Sequence, residues 1–188
     1  MLEDGSVYEG TARGDFKETA CEIVFNTSMT GYVEILTDPS YAGQGVVMTY
    51  PMIGNYGISR EDFESERLQP SAFIVHELSS DPSNFRCTDT IENLLKEYNI
   101  PCISGVDTRA VVKKLRESGT MRGVLTSDIG DRERLMDVIK SFRQIDLVGS
   151  VTAKQTKVYG EKNTGAEIAL MDFGTKRSEE RRVGKECR

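Results

Sequence analysis

Between residues 89 and 142, short apolar runs alternate with amphipathic stripes, and this alternation restricts the chain to an α/β architecture. Asp89, with Glu92 three residues on, reads as a helix N-cap, and Ile91, Leu94, Leu95 and Tyr98 form the apolar stripe that follows. A strand is predicted over 102–106. Asp107 or Thr108 then caps a second helix whose Ala110, Val111 and Leu115 face inward and which Gly119 ends. A strand over 122–126 and a third helix capped by Asp131, with Leu135, Ile139 and Phe142 on one side, complete the alternation. The first ninety residues read instead as strands and turns. Strands are predicted over 6–10, 21–26, 45–50 and 71–78, with the Arg13-Gly14-Asp15 triplet as a turn. Residues 26–41 and 51–57, rich in Gly, Asn, Pro, Ser and Thr, read as turns around a short 33–35 segment.

Three domain boundaries follow from the pattern. Residues 1–150 form one α/β domain, and the polar, weakly patterned 151–167 is a linker. Residues 168–176 begin a second domain with an apolar strand, 168–173, running into Gly174, as a parallel sheet begins. The last twelve residues, RSEERRVGKECR (177–188), fit no helical or strand period, and eight of them are charged. They match the translation of a common short-read sequencing adapter, so they are expected to lie outside the natural protein. Without them the chain carries 19 basic and 27 acidic side chains, a net −8 against −6 for all 188 residues. An acidic chain of this kind argues against nucleic-acid binding.

No apolar run approaches the roughly 18 residues of a membrane span, and the first residues, MLEDG, have no secretory pattern, so a cytoplasmic location is expected. Cys21, Cys87, Cys102 and Cys187 are widely spaced, and with one histidine, His76, they build neither a zinc site nor a disulfide framework. No metal or cofactor is expected in this chain. His76 lies in an apolar strand and reads as a hydrogen-bonded core or edge residue. Asp107, Thr108 and Arg109 resemble a phosphate-binding triplet, yet helix capping accounts for the first two. The acidic run 61–66 reads as a solvated turn or helix end, with an interfacial role as the alternative.

Several segments carry a resemblance. EIVFNTSMTGYVEILTDPSY (22–41), LEDG (2–5), TYPMIGN (49–55), SNFR (83–86) and SGVDTR (104–109) are similar to the N-terminal domain of the carbamoyl-phosphate synthetase small-subunit family, and IALMDFGTK (168–176) resembles the opening strand of that family's glutamine amidotransferase domain. The resemblance spans residues 2–176. It implies a β/β/α domain of swivelling type, followed by the first strand of an unfinished class I amidotransferase domain. It further implies a subunit that hydrolyses glutamine and passes ammonia to a large subunit. There ATP and Mg drive carbamoyl phosphate synthesis from bicarbonate, for arginine and pyrimidine production. The partner is the large subunit and the substrate of the full-length small subunit is glutamine; neither nucleic acid nor membrane is implied.

Glutamine hydrolysis by this route needs a thiolate, a histidine base held by a carboxylate, and N–H donors for the oxyanion. In the family the cysteine sits on a Gly-x-Cys-x-Gly elbow, which this sequence lacks, so no catalytic residue is assigned and the chain is expected to be inactive alone. One residue carries over: the serine of Thr-Asp-Pro-Ser, Ser40, contacts glutamine in the family. On its own residues Ser40 reads as a turn serine bonding its own backbone. Family members have a few residues ahead of LEDG and continue past position 176, so a gene fragment is expected. Two other readings stay open: a non-catalytic module docking on the large subunit, and an unrelated α/β enzyme using Ser40 or His76.

Overall fold

A computed structural model describes residues 1–14, 16–143, 146–158 and 169–178. It contains a six-stranded mixed sheet and helices on both of its faces. The strands are β1 (Thr11–Arg13), β2 (Thr19–Asn26), β3 (Gln44–Met48), β5 (Ala72–Ile74), β7 (Cys102–Ser104) and β8 (Met121–Leu125), in spatial order β1-β7-β5-β3-β2-β8. The central four run parallel, and the two edge strands are antiparallel to their neighbours. A separate two-stranded ladder joins β4 (Met52–Ile53) to β6 (Glu77–Leu78).

Strand side chains alternate between the two faces, and both faces are covered, so the central strands carry apolar side chains on both faces along most of their length. Val46, Met48, Phe73 and Cys102 face α1 (Tyr32–Thr37) and α2 (Ile91–Glu97). Cys21, Ile23, Val47, Ala72 and Ile74 face α3 (Thr108–Ser118), which buries Val111, Val112 and Leu115 against them. Burying three such side chains contributes roughly 1.5–3 kcal/mol each, enough to orient a helix of this length. The last long helix, α4 (Arg132–Ser141), packs Leu135 and Ile139 on Val124 of β8, and a short α5 follows at Leu147–Val151.

Three helices fall where periodicity places them. Asp107 and Asp131 accept from Ala110 N and Arg134 N as N-caps, and Gly119, at φ +81°, ends α3. The cap of α2 is displaced by one residue. Thr90 accepts from Asn93 N, while the Asp89 carboxylate takes Thr90 N and the Asn93 amide.

Four expectations change. Residues 32–37, read as part of a turn region, form α1. Six residues are too few to display a 3.6 period, and Tyr32, Val33, Ile35, Leu36 and Thr37 are buried almost all round, so packing decides the conformation. The first strand is residues 11–13, not 6–10, because only the former lie alongside the free edge of β7, with Ala12 opposite Ile103. The 71–78 run splits at Val75 and His76 into β5 and β6, which pair with different partners. The strand expected over 168–173 is not formed at residues 169–173, which have no ladder partner among the described residues; Leu170, Met171 and Phe173 are exposed there. Residue 168, positions 159–167 of the expected linker, and 179–188 of the terminal stretch lie outside the described residues.

A bidentate ion pair ties the lead into β2 to α4: Glu18 Oε1 and Oε2 accept from Arg134 Nη1 and Nη2 at 2.7 and 2.8 Å. The Arg134 guanidinium, helped by the Thr126 hydroxyl, holds the Glu18 carboxyl down at about 2. The stabilisation is therefore fully present above the ordinary carboxylate value near 4.5 and disappears as pH falls toward 2. Both side chains are largely solvated, so the effect is small. Urea titrations of Glu18→Gln should show a small deficit at pH 7 that vanishes near pH 2; a deficit independent of pH would contradict the ion pair.

Candidate functional site

Sequence segments that lie far apart converge at one end of the sheet. Asn26, the last residue of β2, donates from Nδ2 to Tyr41 Oη at 2.9 Å and accepts from Ser28 N at 2.7 Å through Oδ1. Gly31 adopts φ +82° to start α1, a conformation that a Cβ would strain. Tyr32 and Tyr56 then stack with ring centroids 4.1 Å apart and 16° between planes. Their hydroxyls are used reciprocally. Tyr56 Oη accepts from Gly31 N at 2.7 Å and Tyr32 N at 3.2 Å. Tyr32 Oη accepts from Tyr56 N at 3.2 Å and donates to Gly57 O at 3.0 Å. Burial pushes both phenols above their ordinary range, so they remain protonated donors at neutral pH.

This anchor fixes the far end of α1. Thr37 Oγ1 donates to Val33 O at 2.8 Å and accepts from Glu64 N at 2.9 Å, and Ser65 Oγ donates to Thr37 O at 2.5 Å. Beyond it, Asp38 caps a 3₁₀ turn, Pro39–Tyr41. Asp38 Oδ1 accepts from Ser40 N at 2.9 Å, and Oδ2 pairs with Lys176 Nζ at 2.6 Å. Ser40 is exposed at the apex of this turn, and its hydroxyl makes no hydrogen bond to a described residue. The carboxylate of Asp38, not the serine hydroxyl, caps the backbone, which leaves Ser40 Oγ available to a ligand.

The segment 169–178 passes beside this turn. Asp172 Oδ1 accepts from Gly174 N and Thr175 N at 2.9 and 2.7 Å, and these backbone donors hold its carboxyl below the usual range. Gly174, at φ +109°, sits so close that a Cβ would lie 3.3 Å from Pro39 Cβ and 2.7 Å from Val151 Cγ2. Ser40 is thus placed where the residues leading into the expected second domain meet the first. Lys176 and the Asp38 carboxylate were not singled out from sequence, although both lie inside the segments that carry the resemblance.

A polar cleft of about 300 Å³ opens next to the tyrosine pair, lined by Thr30, Gly31, Glu34, Tyr56, Asp62 and Arg86 among others. Burial raises the carboxyl of Glu34. Arg86 pairs with Asp62 at 2.8 Å and Glu61 at 3.3 Å, Glu64 accepts from Ser178 N, and Glu66 pairs with Lys157. The acidic run is therefore engaged in intramolecular ion pairs and a backbone hydrogen bond around a 3₁₀ turn, Arg60–Asp62.

The other candidates sit elsewhere. His76 is exposed and bonds through Nδ1 to Val106 O at 3.0 Å. Cys21 and Cys102 are fully buried, and desolvation pushes each thiol up to about 12, so neither supplies thiolate at pH 7. Cys87, half-buried, lies 3.3 Å from Asp89 O. Cys187 lies outside the described residues.

Fold and site together define a layered α/β domain with an open serine at its margin and no cysteine–histidine pair among the described residues. Residues 1–125 match the family model for the carbamoyl-phosphate synthase small chain, CPSase domain. Small chains of carbamoyl phosphate synthase from Caldanaerobacter subterraneus subsp. tengcongensis and Archaeoglobus fulgidus are 47% and 48% identical over 176 and 182 residues, covering 94% of this chain in each case. The corresponding chain of Listeria monocytogenes is 42% identical over 186 residues, 98% of this chain. The chain belongs to the carbamoyl-phosphate synthase small-chain family. It spans about half the length of these relatives, 47%, 50% and 51% respectively.

Proposed function

We propose that this chain is the amino-terminal, glutamine-edge portion of the small subunit of a glutamine-dependent carbamoyl-phosphate synthase. In this reading the whole subunit hydrolyses glutamine and delivers ammonia to a large subunit, where ATP and Mg convert bicarbonate and ammonia to carbamoyl phosphate. The product supplies arginine synthesis, pyrimidine synthesis or both, in the cytoplasm. Family membership supports the reaction, and the exposed, unbonded hydroxyl of Ser40 beside the Asp172–Lys176 turn is the observation that carries the site. The Asp38 carboxylate holds both the Ser40 amide and the Lys176 ammonium. A glutamine amide seated between the two domains would find the Ser40 Oγ already free to donate or accept.

The chemistry itself requires a thiolate, and the buried, high-lying thiols of Cys21 and Cys102 do not provide one. The 188-residue chain is therefore expected to release no ammonia from glutamine. In the complete small subunit paired with its large subunit, Ser40→Ala should raise the KM for glutamine about 3–10-fold, the loss of one neutral hydrogen bond. Synthesis from added ammonium should be unchanged, because that route bypasses the site. Unaltered glutamine kinetics in Ser40→Ala, or ammonia release by the 188-residue chain, would refute the assignment.

A further inference from the structure

The carboxyl ends of β2 and β3 meet α3 in a second cleft, of about 480 Å³. Thr49 N donates to Asn26 O at 3.1 Å, which fastens the two strand ends together so that Thr27 and Thr49 border one opening. The opposite wall is α3, which presents Arg109, Lys113 and Arg116 there over buried Val112. Their spacing of four and three residues puts the three cations in one row. The row is held rigidly, because the far side of the helix is fixed in the core by Val111 and Leu115.

We propose that this cleft binds a small polyanion carrying two or more phosphate-type groups. The first argument is charge. Arg109, Lys113 and Arg116 make no ion pair with a described residue, whereas Lys114 on the other side of the same helix is paired with Asp4. Arg116 stacks its guanidinium over the Phe25 ring at 5.6 Å, which positions the group without neutralising it. Glu117 is the one carboxylate among the described lining residues, and it confines an anion to the stretch from Arg109 to Arg116.

The second argument is geometry. From Arg109 to Arg116 the helix rises about 10 Å, more than one phosphate can contact. A ligand with two anionic groups can satisfy both ends of the row and bond to the threonine hydroxyls. The position also suits an anion: small ligands of α/β sheets sit outside the carboxyl ends of parallel strands, and the volume lies within the roughly 300–1,000 Å³ of small-molecule sites.

Inorganic tripolyphosphate is the probe, titrated calorimetrically into the 188-residue chain at low and raised salt, with an octaglutamate peptide in parallel. Saturable one-to-one binding of tripolyphosphate is expected, weakening with salt. The double variant Arg109→Gln/Lys113→Gln should weaken it at least about tenfold, since it removes two charge-assisted hydrogen-bond donors. Arg132→Gln/Lys140→Gln, which removes the same charge from exposed positions of α4, should change it less than about twofold. Circular dichroism checks that both variants stay folded. Absence of saturable binding, equal weakening by the two double variants, or tighter binding of octaglutamate than of tripolyphosphate would each overturn the proposal, the last pointing to an acidic protein segment instead.

Discussion

Replacing Tyr32 by alanine should destabilise the domain by about 3–5 kcal/mol, the range for removing a fully buried aromatic ring. Tyr32 is 1% exposed and fills the space between α1 and the loop after β4. Its loss removes the stacking partner of Tyr56 and strips Tyr56 N and Gly57 O of their partners. For a domain of this size the midpoint should fall by roughly 6–20 °C. Tyr32→Phe separates the two contributions, because it keeps the ring and removes only the hydroxyl. Leaving a buried donor and acceptor unmet should cost about 1–3 kcal/mol. Urea unfolding followed by circular dichroism gives both numbers. Wild-type stability in Tyr32→Phe would show that the hydroxyl bonds contribute nothing and that the anchor is held by ring packing alone.

Gly57→Ala should be nearly as damaging, through two separable terms. Gly57 has φ +70°, where an L side chain is strained by about 1–2 kcal/mol. The new methyl would also stand 2.2 Å from Cys87 Sγ and 3.1 Å from Asp89 O. Overpacking of this kind adds roughly 1–3 kcal/mol. Adding Cys87→Ala removes the thiol, the nearest of these contacts, and should recover the larger share of the steric part, leaving the contacts with the Cβ of residue 87 and Asp89 O and the backbone part. Equal stability of Gly57→Ala and Gly57→Ala/Cys87→Ala would mean that the thiol moves aside freely. The same loop carries the carbonyl that accepts from Tyr32, so both substitutions act on one anchor.

How far residues announce their structure here depends on the range over which the deciding contact acts. The helix stripes of α2, α3 and α4 and the caps Asp107 and Asp131 are legible, because a 3.6 period and an N-cap hydrogen bond are set within a few residues. Helix α1 is not, since its six residues contain β-branched side chains and are too few to show a period. Nor is the choice of residues 11–13 as the edge strand, which rests on a register with β7 some ninety residues away.

The site divides in the same way. The motif around Ser40 points to glutamine only through the family resemblance, and local chemistry alone reads it as a backbone-capping serine. The tertiary structure supplies the reason to set that reading aside: Asp38 caps the turn, and its other oxygen reaches Lys176. The row Arg109, Lys113 and Arg116 is visible along a helix, yet its lack of carboxylate partners among the described residues and its position over the ends of β2 and β3 are not.

Sequence by itself therefore determined the alternation of strand and helix, the capped ends of the long helices and the family. Tertiary structure alone decided α1, the edge strand, the tyrosine anchor and the exposure of Ser40. Periods and caps are local and written in neighbouring residues, whereas hydrogen-bond partners and open faces depend on which distant segments pack together.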